Sequence, residues 1–106
     1  MLEIKYTQKA LSDLEEVLAY VAEHSPGSAI KQIRFLKEKI EGLAHTPLMG
    51  VHASSKGLAT DCRILIASDY LIFYQLCSTQ ELLILRVLHG KRDYCRIFNQ
   101  ELQNRE

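Results

Sequence analysis

The sequence predicts an α+β fold of two layers: an N-terminal strand, an antiparallel helix hairpin, a three-stranded antiparallel meander and a short C-terminal helix, with the hairpin packed on one face of the sheet. Three observations carry this. Apolar residues recur at helical spacing in two consecutive stretches that meet at Ser25-Pro26. Three later runs are short and bounded by turn residues, as strands are. The last of them, Glu81-Leu82-Leu83-Ile84-Leu85-Arg86-Val87-Leu88, is apolar on both alternations, as in a central strand covered on both faces.

The elements follow in order. Leu2, Ile4 and Tyr6 alternate with Glu3 and Lys5, the period of a half-buried strand. Thr7 then caps a helix over residues 8–24, in which Leu11, Leu14, Leu18 and Val21 form the apolar stripe and Asp13, Glu15, Glu16 and Glu23 fall on the solvated side. Ser25-Pro26 restarts the pattern, since proline at the first helical position loses no hydrogen bond. Ala29, Ile33, Leu36, Ile40 and Leu43 make the second stripe, and a link this short forces the two helices antiparallel. The helix stops before Pro47. Residues 46–57 have no period and form the longest loop. Strands follow at about 59–67, 70–76 and 81–88, separated by Ser68-Asp69 and Ser78-Thr79-Gln80. Tyr94, Ile97, Phe98 and Leu102 then place an amphipathic helix over 93–103. One sheet face receives the hairpin; the other is covered in part by the last helix and otherwise left as an apolar groove of the kind that receives an amphipathic segment.

The 106 residues, 47% hydrophobic and 25% charged, are read as one domain spanning 1–106 that buries a core without staples. Thirteen Lys and Arg balance thirteen Asp and Glu, which disfavours wholesale binding to phosphate backbones. No membrane-spanning run or signal peptide is read, so a cytoplasmic location is expected, with no membrane partner. Cys62, Cys77 and Cys95 are odd in number and widely spaced; they read as free, buried thiols.

Polar chemistry concentrates in Arg86-Val87-Leu88-His89-Gly90-Lys91-Arg92-Asp93, with Arg96 one helical turn on. Exposed, Lys91, Arg92 and Arg96 would grip phosphate or an acidic protein surface. Arg86 lies inside an apolar strand and must be paired, so it is read as structural, held by a carboxylate such as Asp93. Arg63 alternates onto the face opposite Cys62, Ile64 and Ile66. His24 and His45 close helices. His52 has no ligand-type neighbour at metal spacing, so no metal and no cofactor are expected. Acid–base chemistry would come from His89 assisted by Tyr74 or Tyr94.

The series Ala10-Leu11-Ser12-Asp13-Leu14, Ile40-Glu41-Gly42-Leu43 with Pro47 and Gly50, Tyr70-Leu71-Ile72-Phe73-Tyr74, and above all Ile84-Leu85-Arg86-Val87-Leu88-His89-Gly90-Lys91-Arg92-Asp93, resembles the ParE/RelE toxin superfamily over about residues 2–96. These are the plasmid-stabilisation toxins of type II toxin–antitoxin modules. The resemblance implies one of two activities. The RelE-like branch cleaves messenger RNA on the ribosome, commonly with an arginine after the middle-strand tyrosine and a tyrosine in the terminal segment; this chain has Leu71 and Phe98 there. Arg92 matches a basic position of that branch, and Arg63 lies where it often carries a lysine. In-line attack by a ribose hydroxyl needs charge stabilisation at phosphate, so arginine replaced by leucine removes one such group.

Arg86-Val87-Leu88-His89-Gly90-x-Arg92-Asp93 instead resembles the ParE-like branch, associated with inhibition of DNA gyrase. The resemblance therefore implies a toxin that binds a type II topoisomerase and is neutralised by a cognate antitoxin, with DNA met only indirectly through that antitoxin. Arg63, Tyr74, His89, Lys91, Arg92 and Arg96 are the binding candidates; Arg86 and Asp93 are structural. An acidic antitoxin tail would lie along the groove between hairpin and sheet with its acids near Arg63, Arg92 and Arg96. The alternatives are a ribosome-dependent endonuclease using Arg63, His89 and Arg92, and a non-toxic member that only scaffolds its partner.

Overall fold

The computed structural model of the protein describes residues 2–56 and 62–91. The helix expected over 93–103 lies outside these residues. Strand β1 (Glu3–Tyr6) leads into helix α1 (Gln8–His24), and α2 (Pro26–Gly42) returns antiparallel to it. The chain then forms β2 (Val51–His52), a 3₁₀ turn (Ala53–Lys56), β3 (Arg63–Ala67), β4 (Tyr70–Leu76) and β5 (Glu81–His89).

Local chemistry explains the joints. The Thr7 hydroxyl accepts the Ala10 N–H at 3.0 Å, capping α1, and donates to the Leu85 carbonyl at 2.8 Å, which ties the helix start to β5. Ser25 is the only residue between the helices: its N–H closes α1 on Val21 at 2.8 Å, and Pro26 begins α2. Ser68, with φ 57°, turns the chain from β3 to β4.

The sheet has five strands in the order β1-β5-β4-β3-β2. The expected meander is its centre, extended by β1, which pairs parallel to β5 from Glu3↔Glu81 to Tyr6↔Ile84, and by β2 at the far edge. β2 corrects the reading of 46–57 as a loop without structure; a two-residue strand is too short to show alternation. Between β4 and β5 the pairing moves from Phe73↔Arg86 to Tyr74↔Ile84, so Leu85 is a bulged extra residue.

The main core lies between hairpin and sheet and includes Ala10, Leu14, Leu36, Ile40, Ile72, Tyr74, Leu82 and Ile84. A second cluster of Ala53, Cys62, Ile64, Phe73 and Leu88 occupies the other face, so β5 and β4 are covered on both sides. Two expectations are corrected. The buried line of α1 is Ala10, Asp13, Leu14 and Val17, rotated from the expected stripe so that Leu11 and Leu18 are exposed. Cys77 is exposed, while Cys62 is buried as expected.

Candidate functional site

The two ends of β4 and β5 carry different polar constructions. At the α1 side, β1 accompanies β5 only to Ile84, where the Thr7 N–H donates to the Ile84 carbonyl at 3.0 Å. Beyond that point α1 lies along the strand edge, and Asp13 takes the place a neighbouring strand would fill. Its carboxylate accepts the Val87 N–H at 3.0 Å, Arg86 Nε at 2.7 Å and Arg86 Nη2 at 2.9 Å. Both side chains are buried, so the bidentate pair keeps two charges and one backbone donor satisfied out of water. Asp13, read from the sequence as solvated, is the carboxylate that Arg86 requires; Asp93 lies outside the described residues.

The strand continues to His89, whose ring meets Tyr70 edge-on at 5.2 Å and whose Nδ1 accepts the Lys91 N–H at 3.1 Å. Asp13, Glu16, Tyr20, Tyr70, His89 and Lys91 line an open cavity of about 560 Å³ between α1 and this end of the sheet. Burial pushes the Tyr70 hydroxyl above its ordinary pKa, and the neighbouring Asp69 and Tyr20 add to the shift.

At the other end, Tyr74 is fully buried. Its hydroxyl donates to the Pro47 carbonyl at 2.8 Å and accepts the Gly50 N–H at 2.8 Å. Burial raises its pKa, opposed by the Gly50 N–H and the Arg63 charge. A Cβ on Gly50 would lie 2.7 Å from the Tyr74 hydroxyl and 2.8 Å from the Ile64 carbonyl, so this close approach requires glycine. Arg63 completes the clamp: Nη1 donates to the Gly50 carbonyl at 2.7 Å and the Leu48 carbonyl at 3.4 Å, and Nη2 lies 3.3 Å from His52 Nε2. The loop so held displays Leu48 and Met49, each 62% exposed.

The sheet register separates the expected site residues. Arg63 pairs with Tyr74, and His89 with Tyr70, four positions along β4 and on its opposite side. That is roughly 13 Å along the strand and roughly 10 Å across it. Tyr74 therefore stands beside Arg63 rather than His89, which corrects its reading as an assistant to His89. Lys91 is exposed next to His89. Arg92 and Arg96 lie outside the described residues, as do Tyr94 and Cys95. Asp13 and Gly50 were missed as determinants: only distant partners give either residue its role. Among the described residues no three His, Cys, Asp or Glu side chains gather as a metal site would require, and no helix is long and apolar enough to cross a membrane.

Comparison with known proteins fits this architecture. The sequence family described as ParE toxin of type II toxin-antitoxin system, parDE, matches residues 4–94. The fold is similar to a chain of the solved structure described as "Chromosomal ParDE TA system from P. aeruginosa", with a TM-score of 0.69, 20% identity, 86% of this chain covered and 98% of that one. No curated protein matches the chain.

Proposed function

From the premise that the chain belongs to the ParE toxin family of type II toxin–antitoxin systems, we propose that it inhibits DNA gyrase by binding, cuts no bond itself, and is neutralised in the cytoplasm by a cognate antitoxin. The observation that carries this reading is the separation of Arg63 from His89. A nuclease needs its cation and its acid–base group within hydrogen-bond reach of one phosphate. Here the Arg63 guanidinium is spent on loop carbonyls at one end of β4, and His89 stands at the other end. Leu71, following Tyr70, supplies no charge between them.

Neutralisation has a physical route. The mouth between α1 and the β4–β5 end, where His89 and Lys91 stand opposite Glu16, accepts an amphipathic segment whose acids turn toward Lys91; its extension across the sheet would reach Arg63. Arg92 and Arg96, which follow Lys91 in sequence, are further candidates for its acids. DNA is then met only through the antitoxin.

The test adds purified protein to a gyrase supercoiling reaction and, separately, to a reconstituted translation reaction. Inhibition of supercoiling with intact transcripts is the expected result. Cleaved transcripts with supercoiling untouched would overturn the proposal in favour of the nuclease.

A further inference from the structure

The cavity between α1 and the β4–β5 end contains a hydroxyl that the fold leaves unused. Tyr70 is only 8% exposed, and its ring is held edge-on by His89. Among the described residues none hydrogen-bonds its hydroxyl, which opens into the cavity rather than being sealed in the core. Tyr74, in the same strand, is the contrast: its hydroxyl bonds both Gly50 and Pro47. A phenol taken out of water with its donor and acceptor still to be satisfied is a recognition group.

The surroundings of that hydroxyl select the chemistry of its partner. Asp13, Glu16 and Tyr20 follow at i, i+3 and i+7, so one face of α1 forms the opposite wall of the cavity. Asp13 spends its charge on Arg86. Glu16, which holds an interaction of its own, contributes charge at the exposed mouth. Tyr20, 64% exposed, packs its ring on His24 at 5.0 Å. Asp69, whose carbonyl is fixed by the Gly90 N–H at 2.8 Å, has its side chain exposed next to Tyr70. Burial, then the Asp69 charge and Tyr20, hold the Tyr70 proton in place, so the field at this hydroxyl favours positive charge.

We propose that the cavity seats the guanidinium of an arginine carried by the antitoxin segment. The guanidinium donates to the Tyr70 oxygen and lies against the Tyr20 ring, between the charges of Glu16 and Asp69. It is planar, always charged and more weakly hydrated than an ammonium, so a half-desolvated slot between two phenols suits it best. A carboxylate in the same place would meet two like charges; the acids of the segment turn instead to Lys91, just past the end of β5. At about 560 Å³ the cavity has the size of a small-ligand site. The partner's identity rests on the reading above; the chemistry of the seat is this chain's own.

N-acetylarginine amide, titrated into the isotope-labelled chain and followed by NMR at Tyr70, Val17 and Val87, tests it without gyrase or antitoxin. The expected result is saturable shifts at these residues, with the arginine probe binding roughly 5–10-fold tighter than N-acetylnorleucine amide, and no saturation by N-acetylglutamate amide. Tyr70→Phe keeps the ring and removes only the hydroxyl; it should weaken the arginine probe roughly 3–10-fold while unfolding at neutral pH is unchanged. Tyr20→Leu and Asp69→Asn, both at exposed side chains, should each weaken it roughly 2–5-fold. Binding of the probe with supercoiling untouched would keep the seat and sink gyrase inhibition; inhibited supercoiling by a chain that ignores the probe would do the reverse. An arginine probe that binds no better than the norleucine or glutamate probe overturns the inference, as does one indifferent to all three substitutions.

Discussion

At one end of the sheet a buried carboxylate holds a buried guanidinium and a strand-edge N–H; at the other, a phenol and a guanidinium hold the backbone of a loop. Both constructions fasten a neighbouring segment to β4 or β5, but with different liabilities. The Asp13–Arg86 clamp puts two charges out of water, so losing either strands the other. The Tyr74–Gly50 clamp is made of neutral groups, apart from a partly exposed Arg63, and losing one partner leaves ordinary donors and acceptors unsatisfied. The first is brittle; the second degrades gradually.

The largest expected effect therefore falls on the first clamp. Asp13→Ala should cost about 3–5 kcal/mol in denaturant unfolding, by removing the carboxylate that the buried Arg86 charge and the Val87 N–H share. Asp13→Ala combined with Arg86→Leu should recover much of that loss, because the charge to be buried is gone. A single-variant loss under about 1 kcal/mol would put the two clamps on an equal footing. Gly50→Ala comes next. Its added methyl meets a tyrosine hydroxyl and a backbone carbonyl closer than contact distance, so the loop must shift, at a cost of about 1–3 kcal/mol. The accompanying readout is faster proteolysis between residues 46 and 52; unchanged stability and proteolysis would show that the loop is not held there.

The clamps also differ in how far the sequence reveals them. Arg86, inside an apolar strand, announces that it needs a carboxylate; which one does not follow, because Asp13 is 73 positions away and sits in a helix whose leucine spacing favours a different buried face. α1 turns Leu11 and Leu18 outward because the strand edge abandoned by β1 needs an acceptor. The bounds of α1 and β4 are legible, since capping residues, Ser25-Pro26 and the Ser68-Asp69 turn mark them locally. The Tyr74–Gly50 contact, across 24 positions, leaves no periodic trace, and neither does β2. Of the expected site, His89 and Lys91 stand together as neighbours in sequence must, whereas the placement of Arg63 depends on sheet register.

Tyr74→Phe isolates the neutral clamp. It keeps the buried ring and removes the hydroxyl, leaving the Gly50 N–H and the Pro47 carbonyl each short of one bond, at a cost of about 1–2 kcal/mol by denaturant unfolding. A loss as large as that of Asp13→Ala would contradict the contrast between charged and neutral materials.

Alkaline titration gives the smallest and most discriminating effect. Burial raises the Tyr74 hydroxyl above its ordinary value of 10.0, and Tyr6 and Tyr70 shift the same way for the same reason. A raised folded-state pKa means the folded chain keeps its proton after the unfolded chain has released it. The stabilisation is then whole below about pH 10 and drains away as pH climbs through the folded value. Unfolding free energy should accordingly fall above pH 10, and Tyr74→Phe should fall less steeply than the parent, because one of the three contributing hydroxyls is gone. Parallel pH profiles for the two proteins would mean that Tyr74 ionises as freely in the fold as out of it. The neutral clamp would then carry no more electrostatic cost than an exposed phenol, and the distinction between the two ends of the sheet would rest on Asp13 and Arg86 alone.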